Sequence, residues 1–218
     1  LNTRALIIWD QGNHDKACSI LDYIINTTEQ MGNNYLVDLV DFSFNYARCL
    51  HDQGNTPLAK EYYNKCIDLW TSMSGGRTRN LCLAFQEYGD ILFEEGNPIE
   101  ALTKYENAIK YNTEDWYIEV DLVDSIAACM LLNGQISESL QKFAWLLRTL
   151  TEYNVRDAET KYQLCNNLVC VLEPDTEKEI EYKEALLDLV KDDATVLTYT
   201  IHYLDDLLHG IDNSDPIE

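Results

Sequence analysis

The feature that most constrains the fold is a short sequence motif that recurs along the chain at a nearly constant spacing. A Gly between polar residues stands at Gly12, Gly54, Gly96 and Gly134. The first three glycines are 42 residues apart, and the fourth follows 38 residues after the third. A period of this length is typical of an array in which each unit of secondary structure buries its apolar face against its neighbours.

The residues around each Gly predict two helices that cross beside a tight turn. One small residue stands seven positions before each Gly, and another stands five positions after it. These small residues are Ala5 and Ala17, Ala47 and Ala59, Gly89 and Ala101, and Ala127 and Ser139. Helices approach each other closely only where their side chains are small, and Gly readily takes the left-handed conformation that ends a helix. The repeated unit is therefore a helix, a tight turn and a second helix.

The same helical pattern continues through the rest of the chain. No stretch alternates between apolar and polar residues for long enough to predict a β-strand, so we predict an all-α protein. The predicted helices cover residues 1–11, 14–31, 35–53, 56–73, 77–95, 98–112, 116–133, 136–153, 157–172, 176–191 and 194–209.

The third repeat resembles the tetratricopeptide repeat (TPR). The residues that carry the resemblance are Phe85, Tyr88, Gly89 and Leu92 in the first helix, and Ala101, Tyr105 and Ala108 in the second. Because the helices are longer than those of the basic repeat of about 34 residues, the chain is similar to the long-repeat subtype in kinesin light chains and LGN-type spindle-orientation scaffolds. The resemblance implies a right-handed superhelical solenoid of antiparallel helix pairs, with about five repeats and a C-terminal capping helix.

The sequence contains no segment rich in Pro, Gly or Ser that would separate domains between residues 1 and 209. We therefore predict a single solenoid domain over 1–209, followed by an acidic, flexible tail over 210–218. Because the chain opens at Leu1, inside a predicted helix, we expect it to be part of a larger protein. The predicted repeats lie near 1–34, 35–76, 77–114, 115–155 and 156–192, with the cap over 194–209.

The charge and the cysteines of the chain limit the classes of partner and compartment. The formal net charge is −22 and the pI is about 4.3, so phosphate backbones and anionic lipid surfaces should repel the protein. No apolar run approaches the roughly 20 residues of a membrane-spanning helix. The seven cysteines include no C-x-x-C pair, which favours reduced thiols in the cytoplasm or nucleus. We expect an intracellular protein with no direct nucleic-acid or membrane partner.

The sequence carries no motif that predicts catalysis. Its one double Gly, Gly75-Gly76, lacks the G-K-[S/T] ending of a phosphate-binding loop. Cys165 and Cys170 are spaced for neither a zinc knuckle nor a disulfide within one helix. Nucleophilic catalysis needs a nucleophile beside a base that a third group orients, and no segment offers an ordered loop to hold such a set. We therefore predict no enzyme activity, no cofactor and no metal site.

The resemblance places function on the first helix of each pair, because these helices line the concave surface of such solenoids. The resemblance assigns fifteen positions to this surface, and we take nine of them as partner-binding candidates. The other six are Asn2, Leu6, Trp9, His51, Ala128 and Leu131. The partner-binding candidates are Asp41, Phe44, Arg48, Gln86, Asp90, Phe93, Glu94, Asp121 and Asp124. Asp and Glu outnumber Arg and Lys by five to one in these positions, and a row of acids favours a Lys/Arg-rich segment. We predict a scaffold or adaptor that binds a basic, extended or helical segment of a partner protein.

Other functions remain open at the level of sequence. The Asn of the clamp that holds chaperone C-termini in related proteins is replaced at the corresponding positions by Leu6, Arg48, Asp90 and Ala128, which disfavours that ligand. The chain could instead be a structural repeat block of a large multi-subunit assembly, or the regulatory TPR region of a larger enzyme.

Overall fold

We describe the protein from a computed structural model, which covers residues 1–73, 78–112, 115–155, 160, 164–171 and 179–208 of the chain. The regular elements of these residues are α-helices, with one short 3₁₀ turn at Asn33–Tyr35. The helices are α1 (Asn2–Asp10), α2 (His14–Gln30), α3 (Leu36–Asp52), α4 (Thr56–Ser72), α5 (Thr78–Glu94), α6 (Pro98–Lys110), α7 (Trp116–Leu132), α8 (Ile136–Glu152), α9 (Asn166–Val171), α10 (Glu179–Val190) and α11 (Ala194–Leu208). The all-α prediction is confirmed, and the first eight predicted helices agree with α1 to α8 to within two residues.

The recurring glycines make the tight turns as predicted. Gly12, Gly54, Gly96 and Gly134 have φ angles of 77°, 81°, 77° and 79°, which side chains with a Cβ rarely adopt. At the second of these turns the N–H of Asn55 donates a 2.8 Å hydrogen bond to the carbonyl of Leu50. This bond satisfies one of the carbonyls that the end of α3 leaves without a helical partner.

Residues Leu1–Thr113 form one compact unit, unit 1, built from three helix pairs. Within it α1 packs on α2, α3 on α4 and α5 on α6, while α2 and α4 each pack on the first helix of the next pair. The crossing residues are buried as the small-residue pattern requires, since Ala47, Ala59 and Ala101 are 0% exposed. A Cβ on Gly89 would lie 2.7 Å from Cε1 of Tyr105, so any other residue at that crossing would require the Tyr105 ring to shift.

Residues Glu114–Glu218 form a second compact unit, unit 2. Here α7 pairs with α8, α9 packs on α7, and α10 and α11 pack on α8 and on each other. The last helix buries Val196 and Leu204 at 4% and 5% exposure, as expected for a helix that covers an apolar face. The prediction that 1–209 forms a single domain stays a prediction.

The predicted helix over 157–172 differs from the structure in its described part. The chain bends at Cys165, and α9 begins at Asn166. The carboxylate of Asp124 on α7 caps the first turn of α9, because it accepts hydrogen bonds from the N–H groups of Asn167 and Leu168 at 2.8 and 3.1 Å. A helix start fixed by a side chain of another helix leaves no local signal in the sequence. Residues 156–159, 161–163 and the predicted tail over 210–218 lie outside the described part of the chain.

No helix in the described residues combines the length and apolar character that crossing a membrane requires.

Candidate functional site

The first helices of the three pairs in unit 1 provide the candidate site. α1 contacts α3, and α3 contacts α5, so the three helices lie next to one another. Their side chains join consecutive repeats through hydrogen bonds and ring contacts. We call their shared face the first-helix surface, and its residues are Trp9, Arg48, His51, Asp52, Glu87 and Glu94.

Arg48 of α3 joins the three first helices. Its Nε lies 3.1 Å from Oε1 of Glu87 on α5, and 43% of its side chain is exposed. Its guanidinium carbon lies 5.0 Å from the ring centroid of Trp9 on α1 and 5.8 Å from that of Phe44. Arginine is attracted to the faces of aromatic rings and to carboxylates. The side chain is therefore fixed, and its charge is compensated within the protein.

Glu87 connects the first-helix surface to the core beneath it. Its Oε2 accepts a 2.8 Å hydrogen bond from the hydroxyl of Tyr63, a residue that is 1% exposed. Burial raises the pKa of the Glu87 carboxyl, whereas Arg48 and the hydrogen bond from Tyr63 act in the opposite direction. Removal of Arg48 would leave this carboxylate without its cation, so the two residues act as a unit.

Two carboxylates lie at the solvent side of the surface. Nε1 of Trp9 donates a 2.6 Å hydrogen bond to Oδ2 of Asp52, and Nε2 of His51 lies 3.2 Å from Oε2 of Glu94. Asp52 is exposed to solvent, and the side chain of Glu94 is 65% exposed. In the described part of the chain neither carboxylate forms an ion pair with a Lys or Arg. Both can therefore accept hydrogen bonds from a bound cation.

Two of the predicted partner-binding residues lie in the interior. Phe44 and Gln86 are 7% and 9% exposed. The Phe44 ring packs edge-on against Trp70 and Tyr63, with centroid distances of 5.5 and 6.1 Å. Helix α3, which carries Phe44, packs against α1, α2, α4 and α5, and α5, which carries Gln86, packs against α3, α4 and α6. Positions that a single helix would expose therefore become core positions. These two residues support the surface from beneath.

Three further candidates of unit 1 are half-buried: Asp41, Asp90 and Phe93. Oδ1 of Asp90 accepts a 2.8 Å hydrogen bond from the hydroxyl of Tyr105, and Oδ1 of Asp41 lies 3.4 Å from Nδ2 of Asn80. Part of the predicted acid row therefore holds helices together. Contact of these three residues with a partner stays a prediction.

The two candidates on α7 belong to unit 2 and differ from each other. Asp121 is half-buried, whereas Asp124 is 2% exposed and caps the start of α9. Burial raises the pKa of the Asp124 carboxyl to about 7, although the hydrogen bonds from Asn167 and Leu168 lower it. Asp124 therefore serves as a buried helix cap, and contact of Asp121 or Asp124 with a partner stays a prediction.

Sequence reasoning missed the part that Glu87 and Tyr63 play in the surface. Neither residue is among the partner-binding candidates, although Glu87 lies next to the candidate Gln86 on α5. The sequence does contain a signal for this contact. Glu87 on α5 follows Arg48 on α3 by nearly one repeat period of 42 residues. An Arg and a Glu on neighbouring first helices would have predicted a bridge between repeats.

The chemistry that this surface offers is recognition: exposed carboxylates as hydrogen-bond acceptors, an aromatic ring, and a fixed guanidinium. Within the described residues no group of three His, Cys, Asp or Glu side chains could hold a metal ion.

Comparison with known proteins agrees with this architecture. Residues 40–69, which span the end of α3, the turn at Gly54 and most of α4, match the tetratricopeptide repeat family. A crystal structure of a Podosopora anserina protein, described as a kinesin light chain with nearly identical TPR-like repeats, is similar over 94% of this chain and 92% of its own, with 10% identity and a TM-score of 0.62. A point variant of that protein gives the same identity and coverage with a TM-score of 0.63. No curated protein is significantly similar in sequence.

At 10% identity these structures are similar to the chain in fold alone. The repeated glycine turns, the buried small residues at the crossings and the family match over 40–69 all describe the same helix-pair unit. Residues 40–69 therefore form a helix pair of the tetratricopeptide-repeat type, and the chain has the TPR-like fold.

Proposed function

We propose that this protein is a non-catalytic interaction scaffold that captures a Lys/Arg-rich segment of a partner protein on the first-helix surface of unit 1. One observation carries the proposal: Arg48 is already compensated by Glu87, whereas Asp52 and Glu94 face solvent without a Lys or Arg partner in the described residues. An approaching cation meets carboxylates, and no uncompensated charge of like sign repels it. The segment is extended or helical, as in our prediction from sequence.

Charge alone does not hold such a segment. An exposed ion pair contributes about 0–1 kcal/mol, so capture requires several contacts formed together and an apolar anchor beside them. Trp9 is half-buried and hydrogen-bonded to Asp52, which places an aromatic ring next to an acid. The net charge of −22 speeds the encounter with a basic segment, and this effect weakens as salt rises.

The test compares two double variants that remove the same charge from different faces of unit 1. Asp52→Asn with Glu94→Gln neutralises the first-helix surface, and the Asn side chain can still accept the Trp9 hydrogen bond. Glu61→Gln with Asp68→Asn neutralises two exposed acids of α4 and is the matched control. The probes are labelled peptides of equal length, Lys/Arg-rich or neutral, and their binding is measured by fluorescence anisotropy at low and moderate salt.

We expect the first double variant to weaken binding of the basic peptides and to flatten its salt dependence, while the control changes little. Equal effects of the two variants would mean that only the bulk charge of the protein attracts the peptides. Equal binding of neutral and basic peptides would contradict the proposed partner class.

The cysteines support a reducing compartment, the cytoplasm or the nucleus, for this function. None of the seven cysteines, all of which lie in the described residues, forms a disulfide, and all but Cys170 are buried. Alkylation of the native protein should therefore modify Cys170 first.

A further inference from the structure

Two cysteines meet inside unit 1, where the first helix pair packs on the second. Cys18 lies on α2 and Cys49 on α3, and their Sγ atoms are 2.9 Å apart. Both side chains are buried, at 6% and 0% exposure. The Sγ of Cys49 also lies 3.5 Å from the carbonyl oxygen of His14. The two thiols therefore face each other across the interface between α2 and α3.

The equivalent positions between the second and third pairs are not cysteines. One period of 42 residues after Cys18 and Cys49, the chain has Lys60 on α4 and Ile91 on α5. Lys60 forms a 2.7 Å ion pair with Glu95, and Ile91 is 0% exposed. The packing of one pair on the next can therefore be built from other residues, so the facing thiols are a particular feature of the α2–α3 interface.

A disulfide between Cys18 and Cys49 requires little movement of the two sulfur atoms. The S–S bond is about 2.05 Å long, so the Sγ atoms have to approach each other by about 0.9 Å from their distance of 2.9 Å. A displacement of this size is within the ordinary thermal motion of ordered residues. The bond would join positions that are 31 residues apart, and a crosslink of this span restricts the unfolded chain.

The surroundings of the two thiols keep them reduced until an oxidant persists. Burial raises the pKa of both thiols, and the hydrogen bond that Cys18 donates to Cys49 raises the pKa of Cys18 further. The charges of Asp15 on α2 and Asp52 on α3 act in the same direction on both. Because the thiolate is the reactive form, both cysteines react slowly at neutral pH. Cys18 is the more exposed of the two, so a small oxidant reaches it first.

We propose that Cys18 and Cys49 form a modification site, a disulfide that hydrogen peroxide closes and that ties the first helix pair to the second. The Sγ of Cys18 attacks one peroxide oxygen: the S–O bond of a sulfenic acid forms, the O–O bond breaks, and the other oxygen leaves with the thiol proton as water. The Sγ of Cys49 then attacks the sulfenic sulfur: the S–S bond forms, the S–O bond breaks, and a second water leaves. The two sulfurs lose two electrons, which reduce the peroxide.

The crosslink changes how the first two pairs can separate. In the reduced protein α2 and α3 are held by packing alone at this point, whereas the disulfide joins them covalently. A dithiol reverses the step by thiol–disulfide exchange, so the site can be switched in both directions. The crosslink forms whether or not the first-helix surface binds a basic segment.

The test uses the full chain with Cys170→Ser, because Cys170 is exposed and would otherwise form disulfides between molecules. The folded protein is treated with hydrogen peroxide, unfolded in urea with N-ethylmaleimide to block the remaining thiols, and mapped by mass spectrometry without reduction. A second protein carries Cys18→Ser in addition. Cys66 and Cys82, which are 0% exposed in the same unit, are internal controls.

We expect a peptide pair that is joined through Cys18 and Cys49 and lacks two hydrogen atoms, while Cys66 and Cys82 stay free to react with N-ethylmaleimide. The melting temperature of the oxidised protein should lie about 5–10 °C above that of the reduced protein, and hydrogen exchange should slow in α2 and α3. Dithiothreitol should reverse both effects. The protein with Cys18→Ser should show neither effect on oxidation.

Three outcomes would overturn the assignment, and each can be read from the parent protein even if Cys18→Ser fails to fold. Sulfinic acid on Cys18 without the joined peptides would mean that the two sulfurs do not come together. Equal crosslinking of Cys66 or Cys82 would mean that peroxide oxidises an unfolded chain. A joined pair with an unchanged or lower melting temperature would mean that the bond does not fit the folded α2–α3 interface.

Discussion

Replacement of Asp124 by Ala should destabilise the start of α9 in unit 2. The carboxylate is 2% exposed and accepts the N–H groups of Asn167 and Leu168 at 2.8 and 3.1 Å. Loss of a helix cap costs about 0.5–2 kcal/mol, and a buried donor left without an acceptor costs about 1–3 kcal/mol. Because these two figures describe partly the same bonds, we expect a total loss of about 2–3 kcal/mol near pH 5.

The same carboxylate gives the prediction a pH dependence of known sign. Burial raises the pKa of Asp124 in the folded protein from the usual 3.8 to about 7. The folded state therefore binds the proton more tightly than the unfolded state between these values, and the contribution to stability falls as pH rises through this window. Asp124→Asn has no such proton, so from pH 5 to pH 8 the unchanged protein should lose about 2–3 kcal/mol relative to this variant.

Urea unfolding followed by circular dichroism measures these free energies, and hydrogen exchange of the Asn167 and Leu168 amides reports on the cap itself. Asp124→Ala should speed the exchange of both amides at every pH. A change in stability below about 0.5 kcal/mol, with unchanged exchange of these two amides, would refute the assignment of Asp124 as the cap.

Three further changes test the packing of unit 1. Ala101→Leu should overpack a crossing that is 0% exposed and lower stability by about 1–3 kcal/mol; an unchanged melting temperature would refute the crossing. Gly89→Ala places a Cβ 2.7 Å from the Tyr105 ring. The cost of this clash should exceed the gain in helix propensity of about 1 kcal/mol, so urea unfolding should show a lower free energy of unfolding than for the unchanged protein. Arg48→Ala should destabilise the protein more than Arg48→Ala combined with Glu87→Gln, because the single change leaves a half-buried carboxylate without its cation; additive losses in a double-mutant cycle would contradict this coupling.

The helix pairs could be predicted from sequence because their signals are local and repeated. A Gly with positive φ, a small residue on each side at fixed distances and an apolar period near that of a helix all fall within one repeat. The structure confirms these signals at Gly12, Gly54, Gly96 and Gly134. The positive φ of the turn and the close approach of the helices can each be met by only a few residue types, so they leave a clear pattern in the sequence.

The candidate site was less predictable, because burial depends on how several helices meet. Phe44 and Gln86 lie on the predicted stripe of α3 and α5, yet neighbouring helices cover them. Asp124 looked like one more acid of a row, although its partners are 43 and 44 residues away on α9. Charge patterns in a sequence do not separate an acid that faces solvent from an acid that holds two helices together.

Site-specific photo-crosslinking tests the central claim, capture of a basic segment on the first-helix surface of unit 1, most directly. A photoreactive residue replaces Glu94, whose side chain is 65% exposed on α5, and in a second protein it replaces Glu61, which is exposed on α4. Each protein is irradiated with a bound Lys/Arg-rich peptide, and the products are identified by mass spectrometry. We predict crosslinks to the peptide from position 94 and few from position 61. Equal crosslinking from both positions, or crosslinking from position 61 alone, would contradict the account.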